Sequence, residues 1–402
     1  MTKKNKDKTV LKKGVSQFNI IGRAKVNDNT FSIDNESQTS DWIYSQMQLG
    51  VDVGDSVVFS SLMGGYGATR DNVIYVHGIK KNDAGKDVAD FDNRFTIDWD
   101  DRFDEAILKT VADDCFIRVG VEKDVKGKTY VKKFLSAYDA VEYLSEHLED
   151  GAVVNISGVL QYQYYNENVT VQKNIKSIYL STKEEQDFKA EFRQTILLDS
   201  DSIGKLDKEK NTYPIDAYVV DYVSKVDGVE VKQNVVFPKT FNFDVIDTNN
   251  PEKTAMALSK FFKPKKKNSI LELGVIGKFC EGGVISTTTL DELDEDIKMM
   301  VDLGMISEQD ALAKYTNGQK ERRMVIKEII TKNDSDDPEN KHLVVMRDED
   351  KYTPDDLVFI SQFIDTDEDE ADDESEYEES VIDTESNDNE SDDDWISALM
   401  ND

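Results

Sequence analysis

The chain has 402 residues, 38% of them hydrophobic, which is enough to bury the cores of two or three domains. Its formal net charge is −33, and residues 365–402 hold 19 acidic residues without a Lys or Arg, which leaves −14 on residues 1–364. That charge excludes binding of a polyanion through net charge, and the lack of any apolar run near the roughly 18 residues of a membrane span predicts a soluble, cytoplasmic protein.

The chain begins with a Lys-rich segment. Residues 1–14 contain six Lys and few apolar side chains. Such a segment cannot bury enough apolar surface to order itself, so we predict a disordered basic arm. Two interpretations of this arm stay open: it contacts phosphate groups, or it is a solvated end without a role.

From residue 15 onward, the dominant pattern is short strand-like runs bounded by Gly, Asn and Asp. Three passages repeat one order: a hairpin, a helix or other connection, a strand with an internal Gly, and a closing strand. This order is the outline of the OB-fold, a five-stranded Greek-key barrel. We therefore predict a mainly β chain of tandem OB-like barrels in units 15–105, 106–185 and 186–364, with a generic β-rich α+β fold as the alternative.

One segment of the third unit has a helical pattern. Within 290–318, apolar residues recur at three- and four-residue spacing, Gly304 interrupts them, and Ser307 begins a second run with the character of a helix start. We predict a helical-hairpin insertion there, as a packing element.

The residues that carry most enzyme chemistry are few and scattered. Cys115 and Cys280 form no CxxC pair, and His77, His147 and His342 have no ligand-type neighbour in the sequence. We predict no metal site, no cofactor and no enzymatic activity.

Strand alternation divides the side chains of the hairpin at 114–137 between two faces. The aliphatic inner face would hold Cys115, Ile117, Val119, Val121, Val131 and Leu135. The outer face would hold Phe116, Arg118, Tyr130, Lys132 and Phe134. Exposed aromatic rings beside cations suit single-stranded nucleic acid, because bases stack on the rings and phosphates contact Lys or Arg. The alternative is that the helix at 139–148 or a neighbouring barrel covers this face.

Further cations and one more aromatic residue complete the predicted nucleic-acid contacts. By parity, Tyr162 and Tyr164 are core residues, whereas Tyr165 projects outward. The predicted phosphate contacts are Lys173, Lys263, Lys265, Lys266, Lys267, Arg322 and Arg323. Such clusters supply local positive potential in an acidic protein, and solvated loops without a function have the same composition.

The last segment, residues 365–402, combines many acidic side chains with few apolar ones until its end, so it is predicted to be disordered and extended. On a helix, Trp395, Ile396 and Leu399 would share a face that suits docking in a partner's apolar groove, while the preceding Asp run meets a basic rim. The predicted partner-binding residues are Asp392, Asp393, Asp394, Trp395, Ile396, Leu399 and Met400.

The strand pattern of the three units, the acidic stretch 365–394 and the sequence DDDWISALM at 392–400 resemble the single-stranded DNA-binding proteins of bacteria and their phages. Segment 18–105 is also similar to proteins encoded by phages of Firmicutes. The resemblance implies OB-folds that coat single-stranded DNA without sequence preference, during phage DNA replication, recombination and repair in the host cytoplasm. It also implies that the tail recruits replication or recombination proteins. The tip departs from the bacterial pattern, which ends in Pro-Phe, since Asn401 and Asp402 follow the apolar residues.

A second class of function stays open. An acidic phage protein that binds a host enzyme, or mimics DNA, would not contact nucleic acid, and the charge of −14 on residues 1–364 favours it. The Lys-aromatic hairpin and the Lys-rich loop at 261–268 oppose it. The sequence leaves open the choice between DNA and RNA, self-association, and the identity of the tail's partner.

Overall fold

The structure is a computed structural model. It describes residues 10–165, 168–226, 229–247, 250–282, 298–299, 301, 321–333 and 343–363. The predicted tail at 365–402 and nearly all of the predicted insertion at 290–318 lie outside the described residues. The prediction of a mainly β chain is confirmed. None of the described helices combines the length and apolar character needed to cross a membrane.

The described residues form strands and three α-helices, numbered here in chain order. The strands are β1 (Ser16–Lys25), β2 (Phe31–Glu36), β3 (Trp42–Asp52), β4 (Val57–Gly67), β5 (Val73–Lys81), β6 (Asp87–Asp98), β7 (Ile117–Lys123), β8 (Thr129–Phe134), β9 (Val153–Tyr165), β10 (Asn168–Leu180), β11 (Lys189–Leu198), β12 (Thr212–Val226), β13 (Val229–Asp244), β14 (Ile270–Gly282), β15 (Glu321–Ile329), β16 (Thr331–Asn333), β17 (Leu343–Val345) and β18 (Arg347–Tyr352). The helices are α1 (Glu105–Leu108), α2 (Ala137–His147) and α3 (Pro251–Phe261).

In the first half of the chain, strand pairings lead from β1 around a ring and back to β1. β1 pairs antiparallel with β3, β3 with β4, β10 with β9, and β9 with β1. The ring is completed by a parallel bridge between β4 and β10, at Ser61 and Asn174. α2 precedes β9 in the chain and packs against β3 and β4. We call this set of strands the first ring.

The second half repeats this connectivity, and we call it the second ring. β11 pairs antiparallel with β12, β12 with β13, β15 with β14, and β14 with β11. A parallel bridge between β13 and β15, at Asn242 and Val325, completes it. α3 lies between β13 and β14 in the chain, as α2 lies between β4 and β9. The two halves therefore share one order of strands, helix and parallel bridge.

The rings are joined by an antiparallel pairing of β1 with β11, in which Phe18 lies directly opposite Phe192. Each of these buried phenylalanine side chains also lies opposite a glycine of its own half of the chain: Phe18 opposite Gly158 and Phe192 opposite Gly277. A Cβ on Gly158 would lie 2.9 Å from Phe18, and one on Gly277 would lie 2.3 Å from Phe192. A backbone carbonyl oxygen is also close in each case, that of Asn174 at 2.0 Å for Gly158 and that of Val325 at 2.3 Å for Gly277. Glycine is therefore needed at both positions, because the phenylalanine side chain and the neighbouring backbone leave no room for a Cβ.

The ring pairings unite two of the predicted units. Strands from 15–105 and from 106–185 belong to the first ring, so neither predicted unit contains a complete ring. Between β4 and α2 the chain inserts two hairpins, β5–β6 and β7–β8, and β7 runs parallel to β10 outside the ring. The unit boundaries depend on pairings between distant strands, which the local pattern does not contain.

The end of the predicted basic arm is ordered. Leu11 is 3% exposed and packs in an apolar cluster on the outside of the second ring. The backbone N–H of Lys12 donates to the hydroxyl of Tyr352, and Lys13 Nζ lies 2.5 Å from the buried carboxylate of Asp221. The prediction of disorder is therefore wrong for this part of the arm, because one leucine and one ion pair anchor it, and residues 1–9 lie outside the described residues.

The glycine opposite Phe192 provides a test of this fold. We expect Gly277→Ala to lower the free energy of unfolding by about 1–3 kcal/mol, since the added Cβ would lie 2.3 Å from both the Phe192 ring and the Val325 carbonyl oxygen. Urea denaturation followed by circular dichroism measures it. The exposed Thr170→Ala on β10 is the control and should change stability by less than about 0.5 kcal/mol. Equal stability of the two variants would contradict the packing described.

Candidate nucleic-acid interface

The inner face predicted for strand β7 is confirmed, whereas its outer face is partly covered. Ile117, Val119 and Val121 belong to the main core. Phe116 is only 3% exposed and lies in a small separate core with Val76. The prediction of an exposed Phe116 is therefore wrong, because the β5–β6 hairpin packs over it.

The faces predicted for strand β8 are wrong at Val131 and Phe134, whereas Tyr130 is exposed and Leu135 is packed as predicted. Phe134 lies opposite Ile117 and packs against the main core, whereas Val131 is 43% exposed. Helix α2 covers this side of the hairpin: its Tyr143 ring lies 5.5 Å from the Phe134 ring, and Lys132 Nζ lies 3.9 Å above Tyr143. The alternative in which the helix covers this face is therefore correct for Phe134 and Lys132.

What remains accessible on this hairpin is its tip. Tyr130 is 55% exposed, and Lys123, Lys126 and Lys128 beside it are exposed. Arg118, by contrast, is half-buried and lies 4.0 Å from Asp113 Oδ2. We call Lys123, Lys126, Lys128 and Tyr130 the hairpin tip.

The parity prediction for β9 is confirmed where the structure describes it. Tyr162 is 2% exposed, its hydroxyl lies 3.2 Å from Gln194 Oε1, and Tyr164 packs against the main core. The Tyr165 side chain lies outside the described residues. These tyrosines therefore supply the core rather than a stacking surface.

Acidic residues of β18 contact the Lys-rich loop at Lys265 and Lys266. Lys266 forms an ion pair with Asp350, which raises the pKa of its ammonium group. The backbone N–H groups of Lys265 and Lys266 donate to Glu349. Lys263 and Lys267 are exposed. The carboxylates of β18 offset part of the positive potential predicted for this loop, and the phosphate contacts of its four lysines stay predictions.

Lys173 occupies a different place from the one predicted. Its Nζ lies 2.5 Å from Glu281 Oε1 and 4.7 Å above the Phe279 ring, and the two charged side chains are 7% and 10% exposed. Burial lowers the pKa of Lys173, and the neighbouring Glu281 opposes that shift. The prediction of a charge freely available to phosphate is therefore wrong for Lys173, which joins β10 of the first ring to β14 of the second.

Other cations surround this ion pair. Arg322 on β15 lies directly opposite Glu281 and is exposed. Lys239 on β13 is half-buried, and its pKa is lowered first by burial and then by Lys173. Lys278, by contrast, lies on the other face of β14 with Cys280, 3.7 Å from Asp55 in the turn between β3 and β4. We call Lys173, Lys239, Glu281 and Arg322 the inter-ring cluster. Its cations outnumber its carboxylate three to one, in a chain with a formal charge of −33.

The two predicted arginines have different surroundings. Arg323 lies opposite Cys280, whereas Arg322 lies opposite Glu281, so strand alternation turns their side chains to opposite faces. Arg323 and Lys278 lie close enough to Cys280 to oppose the rise in its thiol pKa that burial causes. Only Arg322 belongs to the inter-ring cluster.

The sequence analysis missed an aromatic residue beside this cluster. Phe59 on β4 is 49% exposed, Met63 is 39% exposed, and the outward neighbours on β3 and β4 are uncharged. The backbone N–H of Phe59 donates to Glu281 Oε2 at 3.3 Å, which fixes the ring next to the cluster. We call this surface the Phe59 face; it consists of Gln46, Gln48, Phe59, Ser61 and Met63. The sequence does contain a signal for this face, since Val58, Ser60 and Leu62 alternate with Phe59, Ser61 and Met63. The adjacent apolar residues Val57 and Val58 obscure that alternation.

Comparisons with known proteins give limited matches. A family model described as YorF matches residues 116–314. No curated protein matches the sequence. A crystal structure of wild-type single-stranded DNA binding protein from Thermus aquaticus aligns with 10% identity and a TM-score of 0.30, over 67% of this chain and 87% of that one. A TM-score this low does not show a shared fold.

The buried ion pair predicts a large stability effect. Lys173→Met would leave the Glu281 carboxylate buried without its cation, so we expect a loss of about 3–5 kcal/mol in the free energy of unfolding. Lys81→Met is the control, since its pair with Asp87 has side chains 64% and 60% exposed and should contribute less than about 1 kcal/mol. Urea denaturation of both variants measures the difference. A loss at Lys173 no larger than that at Lys81 would show that the ion pair does not join the rings.

Proposed function

We propose that this protein binds single-stranded DNA along the surface where the two rings meet, without sequence preference and without catalysis. When the strands of each ring are numbered along the chain, they pair around the ring in the order first, second, third, fifth and fourth. A helix lies between the third and fourth strands in the sequence. That connectivity supports an interpretation as two tandem OB-like barrels. OB-folds bind oligonucleotides on the face of their second and third strands and on the loops beside it.

The observation that carries the proposal is the exposed Phe59 ring beside the inter-ring cluster. Phe59 lies on the third strand of the first ring, where an OB-fold ligand would bind. A base can stack on this ring while Arg322 and Lys239 face the phosphates. The uncharged neighbours Gln48 and Ser61 carry no negative charge that would repel the backbone.

The hairpin tip extends this surface. β10 lies between β4, which carries the Phe59 face, and β7, which leads to the tip. A single strand that crosses β10 would therefore pass from Phe59 to Tyr130, where three exposed lysines adjoin a second exposed ring. Stacking platforms separated by cations are typical of binding that tolerates any sequence.

The wider role belongs to the same proposal. Coating of single strands during phage DNA replication, recombination and repair, in the host cytoplasm, is supported by the composition of the tail and by its apolar tip, Trp395–Met400. A tethered docking peptide is useful to a protein whose folded part holds a substrate for other enzymes. Replication or recombination proteins are the partners proposed for it.

A second function competes with this one. An acidic interaction protein, which binds a host enzyme or mimics DNA, is favoured by the charge of −14 on residues 1–364. It does not require the concentration of cations around Glu281 or the exposed Phe59 ring. The two functions differ in whether the purified protein binds an oligonucleotide.

Substitution of the exposed ring tests the proposed surface. We expect Phe59→Ala to weaken binding to a fluorescent oligo(dT) about 5- to 100-fold, because one stacked base is lost. Arg322→Ala should weaken binding and reduce the slope of log K against log salt by about 1, since one phosphate contact is removed. Fluorescence anisotropy over a range of salt concentrations measures both effects.

Tyr75→Ala provides the matched control for the aromatic substitution. Tyr75 is 61% exposed and lies on β5, away from the inter-ring cluster, so its removal should leave the affinity unchanged. An equal loss at Tyr75 and Phe59 would contradict the location proposed. Absence of binding by the full chain at low salt would favour the acidic interaction protein.

Truncation tests the role of the tail. A chain that ends at Ile364 lacks the 19 acidic residues that follow, so its affinity for oligo(dT) should increase, most of all at low salt. The measurement is anisotropy of full-length and truncated protein side by side. If truncation weakens binding, the tail contributes to the DNA contact rather than competing with it.

A further inference from the structure

The tertiary structure brings together three potential metal ligands that are separated in sequence. His77 Nε2 lies 2.7 Å from Asp114 Oδ2, and Cys115 adjoins them. One ligand atom from each residue lies within 4.8 Å of the others. Packing of the small core around Val76 and Phe116 does not depend on an imidazole, a carboxylate and a thiol at this place, and none of the three residues belongs to the inter-ring cluster.

The backbone holds these donors in place. The Ala112 N–H donates to the His77 carbonyl at 2.9 Å, which ties β5 to the turn that carries Asp114. Cys115 Sγ lies 3.5 Å from the His77 backbone nitrogen, and the Phe91 ring lies 4.8 Å from the imidazole. His77 is 8% exposed, whereas the Asp114 side chain is 44% exposed. The cluster is therefore anchored on its protein side and accessible from solvent on the other.

We propose that His77, Asp114 and Cys115 bind a divalent transition metal ion of the zinc class. Nitrogen, oxygen and thiolate sulfur are the ligands that Zn²⁺ takes in proteins, and three protein ligands leave the fourth tetrahedral position to water. Ligand atoms bound at about 2.0–2.3 Å to one tetrahedral ion lie roughly 3.3–3.7 Å apart, which the present spacing reaches with side-chain adjustment. A thiolate in the set favours zinc over magnesium or calcium.

Two cationic side chains near the site limit its affinity for a metal ion. Lys176 is half-buried near Cys115 and Asp114, and Arg118 lies close to Lys176. Their positive charges oppose a bound cation, whereas Asp113, 4.0 Å from Arg118, partly offsets them. Binding is therefore expected to be weaker than at structural zinc sites with four protein ligands.

The position of the site suggests what the ion would do. Cys115 immediately precedes β7, and His77 lies in β5, so a metal would join the β5–β6 hairpin to the start of the β7–β8 hairpin. It would stiffen the base of the hairpin whose tip carries Tyr130. Metal binding at this site is independent of the proposed DNA binding and is measured without nucleic acid.

Cobalt titration of the full-length protein tests the site. Co²⁺ should produce visible bands of tetrahedral cobalt and a near-ultraviolet thiolate-to-cobalt charge-transfer band, and Zn²⁺ should displace it and abolish both. In Cys115→Ser the charge-transfer band should disappear, and in His77→Gln the apparent affinity should fall at least about tenfold.

Cys280→Ser is the matched control, since Cys280 is the second cysteine of the chain and is also partly buried. It should keep the full cobalt spectrum, and circular dichroism of each metal-free variant checks that it is folded. A band that persists in Cys115→Ser, a band lost in Cys280→Ser, or no thiolate band in the wild-type protein would overturn the proposal.

Discussion

The buried ion pair between Lys173 and Glu281 is the interaction on which the rest of this surface depends. Lys173 comes from the first ring and Glu281 from the second, and both are almost fully removed from water. Two buried charges are stable only when each is fully partnered. Glu281 meets this condition by accepting from Lys173 with one oxygen and from the Phe59 N–H with the other. The same carboxylate thus joins the rings and holds the Phe59 face beside Arg322.

A second buried carboxylate joins the rings at another point. Asp221 on β12 is 2% exposed and accepts from the Tyr162 N–H of β9, while Lys13 pairs with its other oxygen. In each case the fourth strand of one ring contacts the hairpin of the other through a carboxylate. Together with the Phe18–Phe192 pairing, these contacts make the relative position of the two rings a consequence of specific buried partners rather than of a flexible linker.

The distribution of charge follows from this arrangement. In sequence, Lys173, Lys239 and Arg322 are far apart, and in the most obvious Lys cluster, at 261–268, Lys266 is paired with Asp350 of β18. Where the rings meet, strands from both halves bring these cations into one region. A protein with an acidic body can thus present local positive potential without a basic sequence motif.

The sequence by itself determined the mainly β class, the buried Ile117, Val119, Val121 and Tyr162, and the helix after β8, because alternation and helical spacing are local properties of the chain. Only the tertiary structure decided that two rings are formed, that Phe116 and Lys173 are buried, that Phe59 is exposed, and that His77 meets Asp114. Each of these depends on contacts between strands or segments tens to hundreds of residues apart, such as β1 with β9. Strand alternation predicts which side chains share a face, but the element that covers that face depends on the tertiary structure.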